Sequence, residues 1–306
     1  MTTAQKPIVI VGSVTMDLVT RTPRIPAVGE TLIGTGFNTT PGGKGANQAV
    51  AAARLGYSVA MVAHVGTDAY GPALIEGLRR AGVDTGAIGP LEGSSGLAPM
   101  FVAETGENSI VVVPGANGKL DRATVDAHAG LIGSAGMVLC QLEIPLDTLA
   151  YTLNFCAEAQ VPVMLDPAPA AALADSTLAK VAWFTPNETE AAFYVDGAAG
   201  VEETANRLLA RGIRNVVLKR GAEGAYVALA SGESRWVAPF KVQAIDTVAA
   251  GDCFNGAFAV GLLEGRDPFS AARFANAAAA VCVTRHGAQA SMPLRADVDR
   301  LLDERP

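Results

Sequence analysis

The stretch DTVAAGDCFNGAF, Asp246 to Phe258, sets one acid, Asp252, at the opening of a helical pattern. Ala249, Ala250 and Gly251 lie just before it and leave the first N–H groups of that helix uncovered by side chains, which makes an anion hole. Aligned peptide dipoles favour negative charge there, so Asp252 is expected to be ionised, and a phosphoryl group gathering charge would be stabilised by the same N–H groups. A carboxylate facing the reacting end of such an anion can accept a proton from an attacking hydroxyl. Taken alone, the residues serve equally well as a helix cap.

Four other stretches carry chemistry of related kinds. In TPGGKGANQAVAAARLG, Thr40 to Gly56, the glycines Gly42, Gly43 and Gly45 let a ligand or another backbone come close, and Lys44 and Asn47 supply donors. The GxxxxGK[ST] spacing of a Walker loop is absent, and a tight turn is the competing reading. IVIVGSVTMD, Ile8 to Asp17, ends a strand with Gly12, Ser13 and Thr15 and then places Asp17, without the GxGxxG spacing of a dinucleotide site. FTPNETEAAF, Phe184 to Phe193, has Asn187 followed three residues later by Glu190, which suits a capping box or a pair orienting hydrated Mg²⁺. VVLKRGAEGAYV, Val216 to Val227, turns at Gly221 and Gly224 between two strands, a hairpin able to lie against a flat nucleotide or to be only a turn.

These residues need a frame, and the hydrophobic pattern supplies one. Strand-like runs (Ile8 to Val14, Val59 to Val65, Gly136 to Leu142, Val161 to Leu165, Val181 to Thr185, Asn215 to Lys219) alternate with predicted helices (Ala46 to Leu55, Gly71 to Ala81, Leu146 to Ala159, Glu188 to Tyr194, Val201 to Arg211). That alternation predicts a largely parallel sheet buried on both faces, with right-handed crossovers. Hairpin-like strands follow (Gly224 to Leu229, Arg235 to Pro239), then two Ala-rich helices (Cys253 to Leu263, Pro268 to Thr284). Two segments break the rhythm: Arg21 to Thr40, rich in Pro, Gly and Thr, and Gly93 to Asn117, where LAPMFVA and NSIVVV read as short strands. They predict either a small sheet serving as a lid or ordinary loop decoration. With no repeat, linker or charge block, a single domain over 1–306 is expected, with lid segments at about 15–40 and 93–115.

Half of the 306 residues are apolar, ample for a large core, and the formal charge of −7 argues against a nucleic-acid or anionic-membrane surface. The apolar runs, such as Ala277 to Val283, are far shorter than the ~20 residues that span a bilayer. The N-terminus passes into a strand-like run without the features of a signal peptide, so a cytoplasmic protein is expected. Cys140, Cys156, Cys253 and Cys282 have no CxxC spacing and are expected to be reduced. His64, His128 and His286 offer no helical metal pair.

In order and spacing, GGKGAN, QLE (Gln141 to Glu143), PNETE, the GxxG hairpin and DTVAAGD resemble the PfkB family of carbohydrate kinases along essentially the whole chain. PGAN (Pro114 to Asn117), DPAPA (Asp166 to Ala170) and VTRHGAQASMP (Val283 to Pro293) extend the likeness. The resemblance implies a three-layer α/β/α fold with a central, mostly parallel sheet and a small β-sheet lid that also clasps a homodimer. It further implies transfer of the γ-phosphoryl of ATP to a sugar hydroxyl, and the branch it most resembles acts on the 5-hydroxyl of D-ribose to give ribose 5-phosphate. A family member acting on another pentose, a deoxysugar or a nucleoside is the alternative.

Carried over by resemblance, Asp252 is the general base and Ala249, Ala250 and Gly251 the anion hole. Thr15, Asp17, Gly42, Gly43, Lys44, Asn47 and Glu143 fall at sugar-binding positions, with Ala98 and Ile110 from the lid. Asn187, Lys219, Arg220, Gly221, Ala222, Glu223, Gly224, Gly251 and Asn276 match nucleotide contacts, and Asn187 with Glu190 matches a water-mediated Mg²⁺ motif. Asp246, Val248, Cys282, Arg285, Gly287 and Ser291 fall where an activating K⁺ binds. Two positions depart from the ribose-specific pattern. Thr15 replaces a usual Asn two residues before Asp17, and Lys219 stands where many members have Thr, placing an ammonium within reach of ATP phosphates.

Overall fold

The structure, a computed structural model, describes residues 5–195 and 200–305. In chain order its elements are β1 (Ile8–Val11), β2 (Thr15–Thr22), β3 (Gly36–Gly42), α1 (Lys44–Arg54), β4 (Val59–Gly66), α2 (Tyr70–Arg80), β5 (Val83–Leu91), β6 (Gly96–Ala103) and β7 (Asn108–Ile110). Then come α3 (Arg122–Ala127), α4 (Ala129–Gly133), β8 (Met137–Cys140), α5 (Leu146–Glu158), β9 (Val163–Leu165), α6 (Asp175–Leu178), β10 (Trp183–Phe184), α7 (Glu188–Tyr194) and α8 (Val201–Ala210). The chain continues through β11 (Asn215–Lys219), β12 (Ala225–Leu229), β13 (Ser234–Val237), α9 (Ala250–Leu263), α10 (Pro268–Cys282) and α11 (Arg295–Glu304).

β1 shows why the fold has three layers. All four of its residues are fully buried, Ile8 and Ile10 in one apolar cluster and Val9 and Val11 in another on the opposite face. The first cluster takes in residues of α1, α2, α9, α10 and α11, the second residues of α3, α5, α6, α7 and α8. Between them lies a nine-stranded sheet ordered β13-β12-β11-β10-β9-β8-β1-β4-β5, parallel from β11 to β5 and closed on one side by the antiparallel β12 and β13. The predicted three-layer architecture with a mostly parallel sheet therefore holds.

The two irregular segments form a second sheet of four strands, ordered β3-β2-β6-β7. β2 begins at Thr15, ahead of the Pro- and Gly-rich run, and pairs parallel with β6 over Thr15–Thr22. Among the predicted elements, Glu188–Tyr194 and Asn215–Lys219 match to the residue, while most others differ by one to three positions at their ends. β5 and the helices α3, α4, α6 and α11 were not anticipated. In β5 the sequence VDTGAIGPL interrupts its apolar positions with glycines and a proline, tolerable because it is an edge strand. No helix among the described residues is long and apolar enough to cross a membrane. The four cysteines are free and buried.

Candidate active site

In an open parallel sheet, ligands bind beyond the carboxyl ends of the strands, where strand order reverses. Here the order reverses around β1, which continues to β4 and β5 on one side and pairs with β8 on the other. Successive carboxyl ends deliver polar groups to the same edge: Ser13 after β1, Gln141 and Glu143 after β8, Asp166 after β9, Asn187 after β10, and Lys219 at the end of β11. The N-termini of α1 and α9 face this edge and complete it.

α9 starts at Ala250, capped by Ala249 in the left-handed region with φ 59 and ψ 13. A side chain at positive φ costs roughly 1–2 kcal/mol, so the turn is held by its surroundings. The Ala250 N–H turns back to Thr247 O at 3.3 Å, and the Cys253 N–H makes the first helical bond, to Ala249 O at 2.9 Å. The N–H groups of Gly251 and Asp252 therefore have no backbone partner among the described residues. Asp252 is 6% exposed, and its carboxylate accepts Asn47 Nδ2 at 2.9 Å and Gln48 Nε2 at 3.1 Å. Burial pushes its carboxyl up to about 6, with the Asp166 charge adding to the rise and Lys44, Asn47 and Gln48 opposing it.

α1 brings to this acid several of the groups expected at a sugar site. Gly43, its N-cap, has φ 91, and a Cβ there would lie 2.8 Å from Thr15 N, so only glycine closes the turn. Glu143 caps the same helix end from across the sheet, accepting Lys44 N–H at 3.0 Å and the Ser13 hydroxyl at 2.5 Å. Asp17 folds over Gly42, where any Cβ would overlap its carboxylate. Burial lifts the Asp17 carboxyl to about 6, tempered by the Thr15 hydroxyl and reinforced by Glu143. Thr15 Oγ1 donates to Asp17 Oδ1 at 3.0 Å. Strand register places Ala98 beside Asp17, and Ile110 opposite Met100, on the same face of the small sheet and half exposed.

The nucleotide-type residues line a cleft of about 710 Å³ that runs into this centre. Asn187, Lys219, Gly221, Ala222, Gly224 and Gly251 border it, as do Asn276, Lys44 and Asp252. Arg220 and Glu223 do not: Arg220 is bonded to Glu223 at 2.9 Å and paired with Glu188. Asn276 spends its amide on Val237 O and Ala238 O, at 3.1 and 3.0 Å, and so ties α10 to the end of β13. The Lys44 ammonium forms no ion pair among the described residues. Burial alone would push it down, yet Asp252, Asp166, Glu143 and Glu190 together hold it above the ordinary lysine range.

Asn187 and Glu190 form the capping box that their spacing allows, with Asn187 Oδ1 accepting the Glu190 N–H at 2.9 Å and Glu190 Oε2 accepting the Asn187 N–H at 2.8 Å. Both also border the cleft. Among the described residues no three His, Cys, Asp or Glu groups converge as a direct metal cage. Burial raises the Glu190 carboxyl, Lys219 lowers it and Asp166 raises it further. One carboxylate and one amide at the cleft are too few to ligate a divalent ion fully and suit one held through water. At the other predicted cation site, Asp246 accepts Val248 N–H at 3.0 Å and Gly287 N–H at 2.9 Å, joining the two turns. The carbonyls of Val248, Arg285 and Gly287 accept no backbone N–H among the described residues, which suits a monovalent cation. The Cys282 carbonyl is taken by Arg285 N–H at 3.1 Å, and the Ser291 hydroxyl bonds Ala288 O at 2.7 Å.

The sequence reading missed roles for Gln48, Gln141, Asp166 and Ser13, and for the apolar wall of the cleft formed by Pro239, Phe240, Val242, Ala279 and Val283. Gln48 was marked by its place on the otherwise Ala-rich, buried face of α1, while Gln141, Asp166 and Ser13 lay inside stretches already quoted, QLE, DPAPA and IVIVGSVTMD, without being given a role.

Residues 5–295 match the family described as pfkB family carbohydrate kinase. The chain is 43% identical over 297 residues to a ribokinase of Bacillus subtilis (strain 168), covering 96% of this chain and 99% of that one. It is 36% identical over 292 residues to a deoxyribokinase of Salmonella typhi, with 94% and 95% covered. The solved structure of Arabidopsis thaliana ribokinase complexed with ribose and ATP superposes with a TM-score of 0.92 at 32% identity, covering 97% of this chain and 98% of that one.

Proposed function

The chain belongs to the pfkB family of carbohydrate kinases, and from that premise we propose that it transfers the γ-phosphoryl group of ATP to the 5-hydroxyl of D-ribose, giving D-ribose 5-phosphate. The observation that carries the reading is the buried Asp252 carboxylate at the open N–H groups of α9, tied to α1 by Asn47.

In this mechanism the sugar lies between Asp17, Asn47 and Glu143, whose acceptors suit a polyol. Asn47 Oδ1, buried without a partner among the described residues, is ready to accept a sugar hydroxyl. Asp252 takes the proton of the attacking hydroxyl, while the N–H groups of Gly251 and Asp252, with Lys44 and Lys219, carry the charge of the moving phosphoryl. The small sheet acts as a lid, and its closure keeps water from replacing the sugar as acceptor. Mg²⁺, when bound through water to Asn187 and Glu190, would neutralise phosphate charge. K⁺ at Asp246 and the facing carbonyls would brace the turn that sets Ala249.

A second substrate is favoured by one contact. Thr15 gives its only donor to Asp17, so a sugar lacking one hydroxyl leaves no protein donor unpaired at this corner. The chain's likeness to a deoxyribokinase agrees, and 2-deoxyribose is the expected alternative. An ADP-release assay over ribose, 2-deoxyribose, fructose and nucleosides decides it, and ribose turnover far below another substrate would overturn the first choice.

Homodimerisation through the small sheet is supported by its exposed apolar side chains, among them Phe37, Phe101, Val111 and Val112. A reducing, cytoplasmic setting accords with four free cysteines.

A further inference from the structure

We infer that Gln48 and Asp166 are positioning residues: one amide nitrogen of Gln48 bridges the carboxylates of Asp252 and Asp166, and Asp166 in turn anchors Lys219 beside the phosphate-binding end of α9. The inference rests on the reading of Asp252 as the base.

Gln48 Nε2 lies 3.0 Å from Asp166 Oδ2 and 3.1 Å from Asp252 Oδ1, so its two hydrogens serve two acids. Gln141 Nε2 donates to Gln48 Oε1 at 2.7 Å. That contact fixes the orientation of the amide, because the opposite orientation would set its oxygen against both carboxylates and its nitrogen against another NH₂. Gln48, Gln141 and Asp166 are at most 2% exposed, so none of these bonds is exchanged for water. On its far side Asp166 Oδ1 holds Lys219 Nζ at 3.0 Å, and that ammonium lies 3.4 Å from where a Cβ on Gly251 would stand. A single chain of contacts therefore runs from the proton acceptor to the cation facing the transferred phosphoryl. It fixes the base in direction and the lysine in place before either substrate arrives, which is preorganisation of both ends of the reaction.

The two residues act on Asp252 with opposite signs. The Asp166 charge favours its protonated form and the Gln48 hydrogen bond its ionised form. The test compares Asp166→Asn and Gln48→Met, using the full chain, with pH profiles of kcat and KM values for ATP and ribose. Gln48→Met should lower kcat roughly ten- to a hundredfold at little change in ribose KM and move the acid limb to higher pH. Asp166→Asn should move that limb to lower pH and raise the KM for ATP several-fold. An acid limb that stays in place in either variant, or moves the same way in both, overturns the inference. Should Gln48→Met not fold, the nearly isosteric Asp166→Asn decides alone by the direction of its limb. An Asp252→Asn protein as active as the parent would instead overturn the base assignment, so the two failures are distinct.

Discussion

Asn47 Nδ2 and Asp252 Oδ2 meet at 2.9 Å across 205 positions of sequence, inside the molecule. One side chain belongs to the first helix of the fold and the other to the ninth, and their bond holds the amide proposed to meet the sugar against the carboxylate proposed as base.

Removing the base is expected to cost the most. Asp252→Asn keeps shape but cannot accept the proton, and kcat should fall roughly 10²–10⁴-fold with ribose KM little changed. In the parent the carboxyl lies at about 6 and works only when ionised. Activity should therefore fall about tenfold per pH unit below that point. Steady-state rates from pH 5 to 8 check both statements.

The same substitution should be worth stability, with a definite pH dependence. An acid raised to about 6 in the folded chain from an ordinary value of 3.8 is protonated in both states below pH 3.8 and costs nothing there. The cost grows between those values and is complete above 6, reaching roughly 3 kcal/mol. Asp252→Asn removes it, so the Tm of the variant minus that of the parent should be more positive at pH 7.5 than at pH 4.5. Equal differences at the two pH values, by calorimetry, would sink the argument.

At Thr15 the expectation concerns selectivity. Thr15→Asn restores a longer side chain with two N–H donors where the hydroxyl now serves Asp17. The ratio of kcat/KM for ribose over 2-deoxyribose should rise about tenfold. An unchanged ratio would show that this corner does not read the sugar.

Asp246 offers a test well away from the transferred group. Asp246→Asn loses one acceptor for the N–H groups of Val248 and Gly287 and removes the charge between the two turns. Stimulation by K⁺ over a bulky organic cation is expected in the parent and should shrink several-fold in the variant, as read from initial rates in matched buffers.

What could be read from the sequence followed from locality. Asp252, Asn187, Glu190, Lys44 and Asn47 stand at helix starts after small or turn residues, where spacing alone implies exposed N–H groups and a cap. Gln48, Gln141 and Asp166 gave no such sign, because their bonds span 93 and 118 positions and arise only once the strands lie side by side. Likewise β5 was hidden by its glycines, and the apolar wall at Phe240 by its irregular backbone. Asn187 also shows that a helix cap can border the cleft, so forming the cap does not by itself exclude the ligand role expected of it.

α1 carries Lys44, Asn47 and Gln48 within little more than one turn; Asn47 and Gln48 both donate to Asp252, and Gln48 donates to Asp166 as well. A mutation on that helix therefore disturbs the surroundings of Asp252 and Asp166 together. Thr15, by contrast, lies at the start of β2 in the separate small sheet, bonded only to its neighbour Asp17 among the described side chains. Substitutions at Thr15 are therefore expected to retune the choice of sugar while leaving the contacts that join α1, α9 and Asp166 in place.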